Sequence, residues 1–218
     1  VEDVTWELTD EVKKFKGNKV LLDLGTGGGK KLLSLADDFK CLIGIDNSEG
    51  MITTANKNRN KENVRFILCS FDKVPLPDNS FDVIMARHAP FSVKEVSRLL
   101  KQGGIFITQQ VGEKDKINIK EIFGRGQNFG EQSGEAVENS LNEFKSNGYE
   151  IVKKERYDAT EYYKDMGDIL FLLENTPIIP NFDRESDKEN LLKFEQEFKS
   201  EKGVKTNSER FLLIVRKV

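Results

Sequence analysis

The stretch Val20-Leu-Leu-Asp-Leu-Gly-Thr-Gly-Gly-Gly-Lys30 decides the fold. A short aliphatic run leads into a glycine-rich turn, and a helical pattern over 30–37 follows. A run with no alternating polar face reads as a strand buried on both sides, as in parallel sheets. Small residues in the turn let a ligand approach the backbone, and the helix start offers free N–H groups. The alternative reading of the turn by itself is a tight strand-to-helix connection. Gly25, Gly27 and Gly29 give the spacing GxGxG. The dinucleotide fingerprint requires its third glycine at position 30, where Lys30 stands, so the spacing departs from the nicotinamide pattern.

Working outward, aliphatic runs recur at 41–45, 64–68, 81–86 and 105–108, with helical patterns at 49–58 and 93–100 between them. Strands alternating with helices define an α/β sheet, doubly wound and mostly parallel. Beyond Gln110 the alternation weakens. Residues 112–134 read as irregular, 135–147 as a helix and 150–157 as a strand. Residues 161–174 read as a helix, 175–183 as a loop around Pro177 and Pro180, 188–202 as a helix and 210–218 as a closing strand. The expected organisation is one domain over 1–218. A cofactor-binding half spans 20–110 and an acceptor-pocket half 111–218, with an insertion near 160–185.

Composition narrows the function classes. The 218 residues carry a net charge of −3, with 37% hydrophobic and 33% charged residues. That balance supports a folded core under a heavily solvated surface and argues against disorder and against a nucleic-acid partner. Apolar runs of about half a dozen residues are too short to span a membrane. The acidic opening residues do not form a signal peptide, and the chain begins with Val1, so either a Met was removed or the numbering starts inside a longer protein. Cys41, Cys69 and the single His88 give no disulfide framework and no zinc spacing, so no metal is expected and the expected location is the reducing cytoplasm. The basic runs Lys13, Lys14, Lys16, Lys19 and Lys153, Lys154, Arg156 read as solvated faces.

Ile43-Gly-Ile-Asp46 closes the second strand, and Asp46 lies 23 residues after Asp23. A carboxylate at that strand tip faces the ligand cleft and can accept both hydroxyls of a ribose. The alternative is an N-terminal residue of the next helix, where Asp is common.

With these residues, the stretches 20–33, 43–51, 64–84 and 98–107 stand in the order of class I S-adenosylmethionine-dependent methyltransferases, and the chain resembles the small bacterial type-11 methyltransferase domain over about residues 20–110. The resemblance implies a Rossmann-like sheet of seven strands, the last inserted antiparallel between the fifth and sixth. It implies S-adenosylmethionine as cofactor and S-adenosylhomocysteine as product. It also implies that Asp23 faces the methionyl amino group, directly or through water; from its place under the glycine loop, Asp23 is further expected to hydrogen-bond that loop's backbone. Gly25, Thr26, Gly27 and Gly29 would pass under that moiety, and Asp46 would hold the ribose. Asn47 and Met51 would flank the adenine, although Met51 is equally a core-facing helix residue. Where the family often has Asp to meet the adenine amino group, this chain has Ser70 followed by Phe71 and Asp72, so Ser70, a backbone group or a displaced Asp72 would make that contact, with Phe71 among the cofactor-binding residues. Arg87 would join the cofactor contacts.

Arg87-His-Ala-Pro-Phe91 ends the fourth strand, which in the family lies beside the departing methyl group. His88 is the one histidine available as a general base, or else a structural or cofactor contact. The fourth-strand end has no Asn/Asp-Pro-Pro-aromatic motif for amino-nucleobase methylation and no Pro-Cys pair for cytosine; the chain has no carboxylate trio for magnesium. Tyr162, Tyr163, Phe171 and Phe182 either line an apolar pocket or belong to the core. The expected activity is methyl transfer to a small-molecule acceptor. The alternatives are an RNA methyltransferase, a nucleotide-binding oxidoreductase and a cofactor-binding regulator without turnover.

Overall fold

The structure, a computed structural model, describes all residues except Asp3 and Ser133, and Ala136 by its backbone only. In chain order the elements are α1 (Leu8–Lys13), β1 (Gly17–Leu24), α2 (Lys30–Ser34), β2 (Phe39–Asp46), α3 (Glu49–Asn58), β3 (Val64–Leu68), β4 (Phe81–Arg87), α4 (Val93–Leu99) and β5 (Leu100–Val111). There follow α5 (Ile117–Phe123), α6 (Glu135–Ser146), β6 (Tyr149–Tyr163), α7 (Met166–Asn175), α8 (Lys188–Phe198), β7 (Lys199–Ser200) and β8 (Gly203–Lys217). The strand order is β3-β2-β1-β4-β5-β8-β6, with the two-residue β7 paired to β8. The seven expected strands form that path, and β7 is an addition to it.

The chain falls into two compact units. The first holds Trp6–Gln110, Val137–Glu155 and Leu212–Val218; the second holds Val1–Thr5, Val111–Ala136 and Arg156–Phe211. In the first unit, Leu21–Leu24 runs parallel to Leu42–Ile45 on one side and to Val83–Ala86 on the other. Leu21, Leu22, Leu42, Val83, Ile84 and Phe106 are fully buried. Each such side chain is worth about 1.5–3 kcal/mol of hydrophobic transfer. Ser48 and Ser92 cap α3 and α4 by accepting from the Met51 and Glu95 N–H groups, which satisfies donors that a helix start leaves open. The strand order reverses at β1, between β2 and β4. Such a reversal opens a crevice at the carboxyl ends of the strands.

The last strand is antiparallel to its neighbours. In the first unit the Lys217 ammonium donates to the Leu100 carbonyl, and Val218 N–H to that of Gly148. In the second unit Gly112 N–H donates to Glu209 O, and Gly203 lies against Tyr163 O. Residue numbers rise on β5 and β6 as they fall on β8.

The second unit departs most from the sequence reading. The span taken as irregular contains α5, whose Ile119 and Phe123 join Ile169, Leu173, Ile178, Ile179, Phe194 and Val204 in one apolar cluster. The helix expected from 161 begins only at Met166, because β6 continues to Tyr163 and Asp165 caps α7 by accepting from Gly167 and Asp168 N–H. The helix expected to reach 202 stops at Phe198, and the chain folds back through β7 into β8, which starts at Gly203 rather than at 210. In the first unit, α2 ends at Ser34 and a 3-10 turn over Ala36–Asp38 completes the stretch. Helix α1 lies in opening residues for which no element was expected and ends at Lys13, the first residue of the basic run.

The four aromatic residues divide. Tyr163 and Phe182 pack on the cluster, Phe171 is 67% exposed, and Tyr162 lies under the Lys202 ammonium. Arg156 is no solvated charge: its guanidinium bridges the buried carboxylates of Glu113 and Glu209. Lys153 pairs with Glu11 and Glu155. Cys41 and Cys69 are free thiols, each partly buried. Among the described residues, no helix is long and apolar enough to cross a membrane.

Candidate functional site

The carboxyl ends of β1, β2 and β4 frame two adjoining cavities in the first unit. One of about 290 Å³ is lined by Leu8, Thr9, Asp23, Lys30, Lys31, Met85 and Arg87 with the glycine loop. The other, of about 190 Å³, is lined by Ile45, Asp46, Asn47, Cys69, Phe71, His88, Ala89 and Pro90. Gly25 borders both.

The loop requires its glycines for different reasons. Gly25, Gly27 and Gly29 all have positive φ, at 73°, 54° and 76°, a region that side-chain-bearing residues rarely adopt. A Cβ on Gly29 would also sit 2.5 Å from the Phe66 ring, and one on Gly25 would strike Ala89. At Gly27 a Cβ would meet no atom within 4 Å, so there the requirement is conformational and the space above the backbone is open.

Two acceptors pin the loop to β2. The Ile45 carbonyl accepts from Gly25 N–H at 2.9 Å and Thr26 N–H at 2.8 Å. The Asp46 carboxylate accepts from Gly27 N–H through Oδ2 at 2.9 Å and from Ser48 N–H through Oδ1 at 2.9 Å. Asp46 is therefore not the cap of α3; Ser48 is. The loop N–H groups expected to bond Asp23 go instead to Ile45 and Asp46.

Asp23 is 4% exposed. Burial pushes its carboxyl from the ordinary 3.8 up to about 7. The nearby Thr26 hydroxyl opposes the rise, the Asp46 charge adds to it, and the Arg87 charge opposes it. The Thr26 hydroxyl stops short of a formed hydrogen bond: Oγ1 is buried without a partner among the described residues. A buried carboxyl and an orphaned hydroxyl beneath an open glycine loop suit a ligand that brings a cation and donors of its own.

Most of the residues expected at the site meet here: Asp23, Gly25, Thr26 and Gly29 with Arg87 in the larger cavity, and Asp46, Asn47, Phe71 and His88 in the smaller. Gly27 joins them through its bond to Asp46. Apart from Gly27, three do not line either cavity. Met51 is 48% exposed on α3, which overturns its reading as a core residue. Ser70 is exposed, and Asp72 lines a separate surface recess with Lys73 and Arg98. Cys69, which was not expected at the site, lines the smaller cavity beside the expected Phe71. Leu8 and Thr9 were missed because nothing in the opening residues marked α1 as a wall of the cleft. Among the described residues, no cluster of His, Cys, Asp and Glu has the makings of a metal site.

Residues 22–108 match the family described as methyltransferase domain. YcgJ of Bacillus subtilis, named as an uncharacterized methyltransferase, is 35% identical over 97 residues, covering 40% of this chain and 38% of YcgJ. The sequence match thus spans well under half of that relative's length. A sterol 24-C-methyltransferase of Aspergillus fumigatus is 28% identical over 172 residues, covering 68% of this chain and 45% of that protein. The solved structure of YcgJ superposes with a TM-score of 0.66 at 22% identity, covering 95% of each chain. That of a SAM-dependent methyltransferase from Aquifex aeolicus gives 0.58 at 17% identity, covering 96% of this chain and 89% of the other. At these identities the structural likeness establishes the Rossmann-like methyltransferase fold.

Proposed function

We propose that this chain binds S-adenosylmethionine across the two cavities and transfers its methyl group to a small-molecule acceptor. The observation that carries the reading is the Asp46 carboxylate, fixed by one N–H from the glycine loop and one from the start of α3. Each oxygen spends one lone pair on the backbone and keeps another for a hydroxyl of a ribose seated in the smaller cavity. Asn47, Cys69 and Phe71 then surround the adenine, and Asp23 with Thr26 receives the methionyl amino group in the larger cavity. Met51, Ser70 and Asp72 drop out of the proposed contacts.

The bound cofactor supplies a methyl group activated on a sulfonium, open to in-line displacement. The chain's own part is to align and desolvate: Gly25 lets the ligand cross from one cavity to the other, and Met85 and Leu8 exclude water at the larger one. A small acceptor suits a chain of net charge −3, which lacks the overall basic charge that phosphate neutralisation needs.

Calorimetric titration with S-adenosylhomocysteine and with NAD tests the reading. Binding of the first is expected, with Asp46→Ala weakening it about 10- to 150-fold as charge-assisted hydrogen bonds are lost. Binding of NAD with none of S-adenosylhomocysteine would overturn it.

A further inference from the structure

His88 is the only histidine in the chain, and two features hold it in place. Its backbone is left-handed at φ 50°, and its N–H donates to the Gln109 carbonyl at 2.9 Å. Its side chain meets the same residue: Nε2 lies 3.0 Å from Gln109 Nε2. The far side of that amide is also engaged, since Trp6 Nε1–H donates to Gln109 Oε1 at 3.3 Å. Trp6 and Gln109 are each 6% exposed, so water does not compete freely for these bonds.

The chain of bonds has only one consistent direction. An indole nitrogen donates and never accepts, so Gln109 must turn its oxygen toward Trp6. Its NH2 then faces His88, and an amide nitrogen has no lone pair to offer. His88 Nε2 must therefore be the acceptor, without a hydrogen of its own. The opposite amide orientation would set the Trp6 N–H against the Gln109 NH2, leaving two buried donors in opposition.

We propose that Gln109, oriented by Trp6, is a positioning residue that holds His88 as the neutral tautomer with its hydrogen on Nδ1 and its Nε2 lone pair occupied. His88 then cannot take a proton from an acceptor at Nε2 unless the Gln109 bond breaks first. It serves the smaller cavity, which it lines beside Asp46, as a group of fixed polarity rather than as a general base at that atom. The inference does not depend on the identity of the cofactor.

A single histidine makes the test direct. Two-bond ¹⁵N–¹H correlation spectra of the ligand-free protein at about pH 8, where an ordinary imidazole is neutral, give one pattern. We expect a protonated Nδ1 and an unprotonated Nε2. Gln109→Glu replaces the donor by a carboxylate that accepts from both neighbours; it should move the hydrogen to Nε2 and keep the imidazolium to higher pH than in the parent. Asp46 and Cys69, which share the cavity, and Arg87, which precedes His88, are unchanged in that comparison. Trp6→Phe keeps the ring and Gln109 but frees the amide to turn, and should bring up the Nε2–H tautomer. This variant and the parent spectrum decide the matter if Gln109→Glu does not fold. An Nε2–H tautomer in the parent, or the same pattern in parent and variants, would overturn the proposal.

Discussion

Replacing Asp23 by Asn should stabilise the ligand-free protein while weakening its ligand binding. The folded protein holds the Asp23 carboxyl at about 7 against the ordinary 3.8, chiefly through burial. Between those values the folded state keeps a proton that the unfolded state has released. Stability therefore falls as pH rises from about 4 to 7, and the full penalty stands above pH 7. At about 1.4 kcal/mol per pH unit the gap amounts to about 4 kcal/mol. Asn carries no charge at any pH, so Asp23→Asn should gain up to about that much at pH 8 and almost nothing at pH 4. Urea unfolding of parent and variant at the two pH values, without ligand, measures the difference. A variant less stable than the parent at pH 8 would refute the reasoning, because it would show that the ionised carboxylate is held by partners rather than penalised by burial. A bound ammonium would reverse the penalty, so in the parent S-adenosylhomocysteine binding should release protons near pH 7, seen as a buffer-dependent heat that Asp23→Asn abolishes.

Asp46→Ala should lower ligand-free stability by about 1–3 kcal/mol, since the Gly27 and Ser48 N–H groups lose their acceptor; thermal unfolding without ligand checks this. Gly25→Ala places a Cβ against Ala89 at a positive φ, and S-adenosylhomocysteine titration should show binding lost, with a lowered melting temperature. In the second unit, Arg156→Met leaves Glu113 and Glu209 without their shared cation. The cost should be about 3 kcal/mol in urea unfolding, the low end for such pairs because Gly134 and Lys114 N–H still donate to those carboxylates.

Burial on both faces made the first five strands legible, because a strand with no wet side leaves an unbroken aliphatic run. The same absence of alternation blurred their ends: β5 begins at Leu100 through Lys101 and Gln102, which no aliphatic pattern marks. In the second unit the signals conflict. Glu161, Tyr162 and Tyr163 suit the start of the helix expected over 161–174 and also the aromatic preference of a strand. The neighbouring β8 tips that balance, and sequence spacing does not reveal which strand lies alongside. At the site, the two carboxylates were legible as a pair, but the loop N–H groups expected to bond Asp23 go to the Ile45 carbonyl and to Asp46. Sequence shows that Asp23 and Asp46 end adjacent strands; it does not show which one the loop N–H groups turn to, since that depends on three consecutive backbone conformations from Gly25 to Gly27. Helix α1 escaped notice because only Leu8 and Val12 repeat at helical spacing among charges.

Gly25 borders both cavities, and this has a consequence for ligands shorter than the whole cofactor. With a single residue as the shared sill, each compartment can be filled on its own. In the proposed binding mode, a nucleoside fragment such as adenosine would rest on Asp46 and an amino-acid fragment such as methionine on Asp23, both at once. Joining the two turns the second contact into an intramolecular event, so the linked molecule gains affinity from effective concentration without any new interaction. The side chain introduced by Gly25→Ala would fall at the junction. It would erase the advantage of linkage more severely than it harms either fragment alone, and the tether between the halves, rather than the halves themselves, would be what the glycine protects.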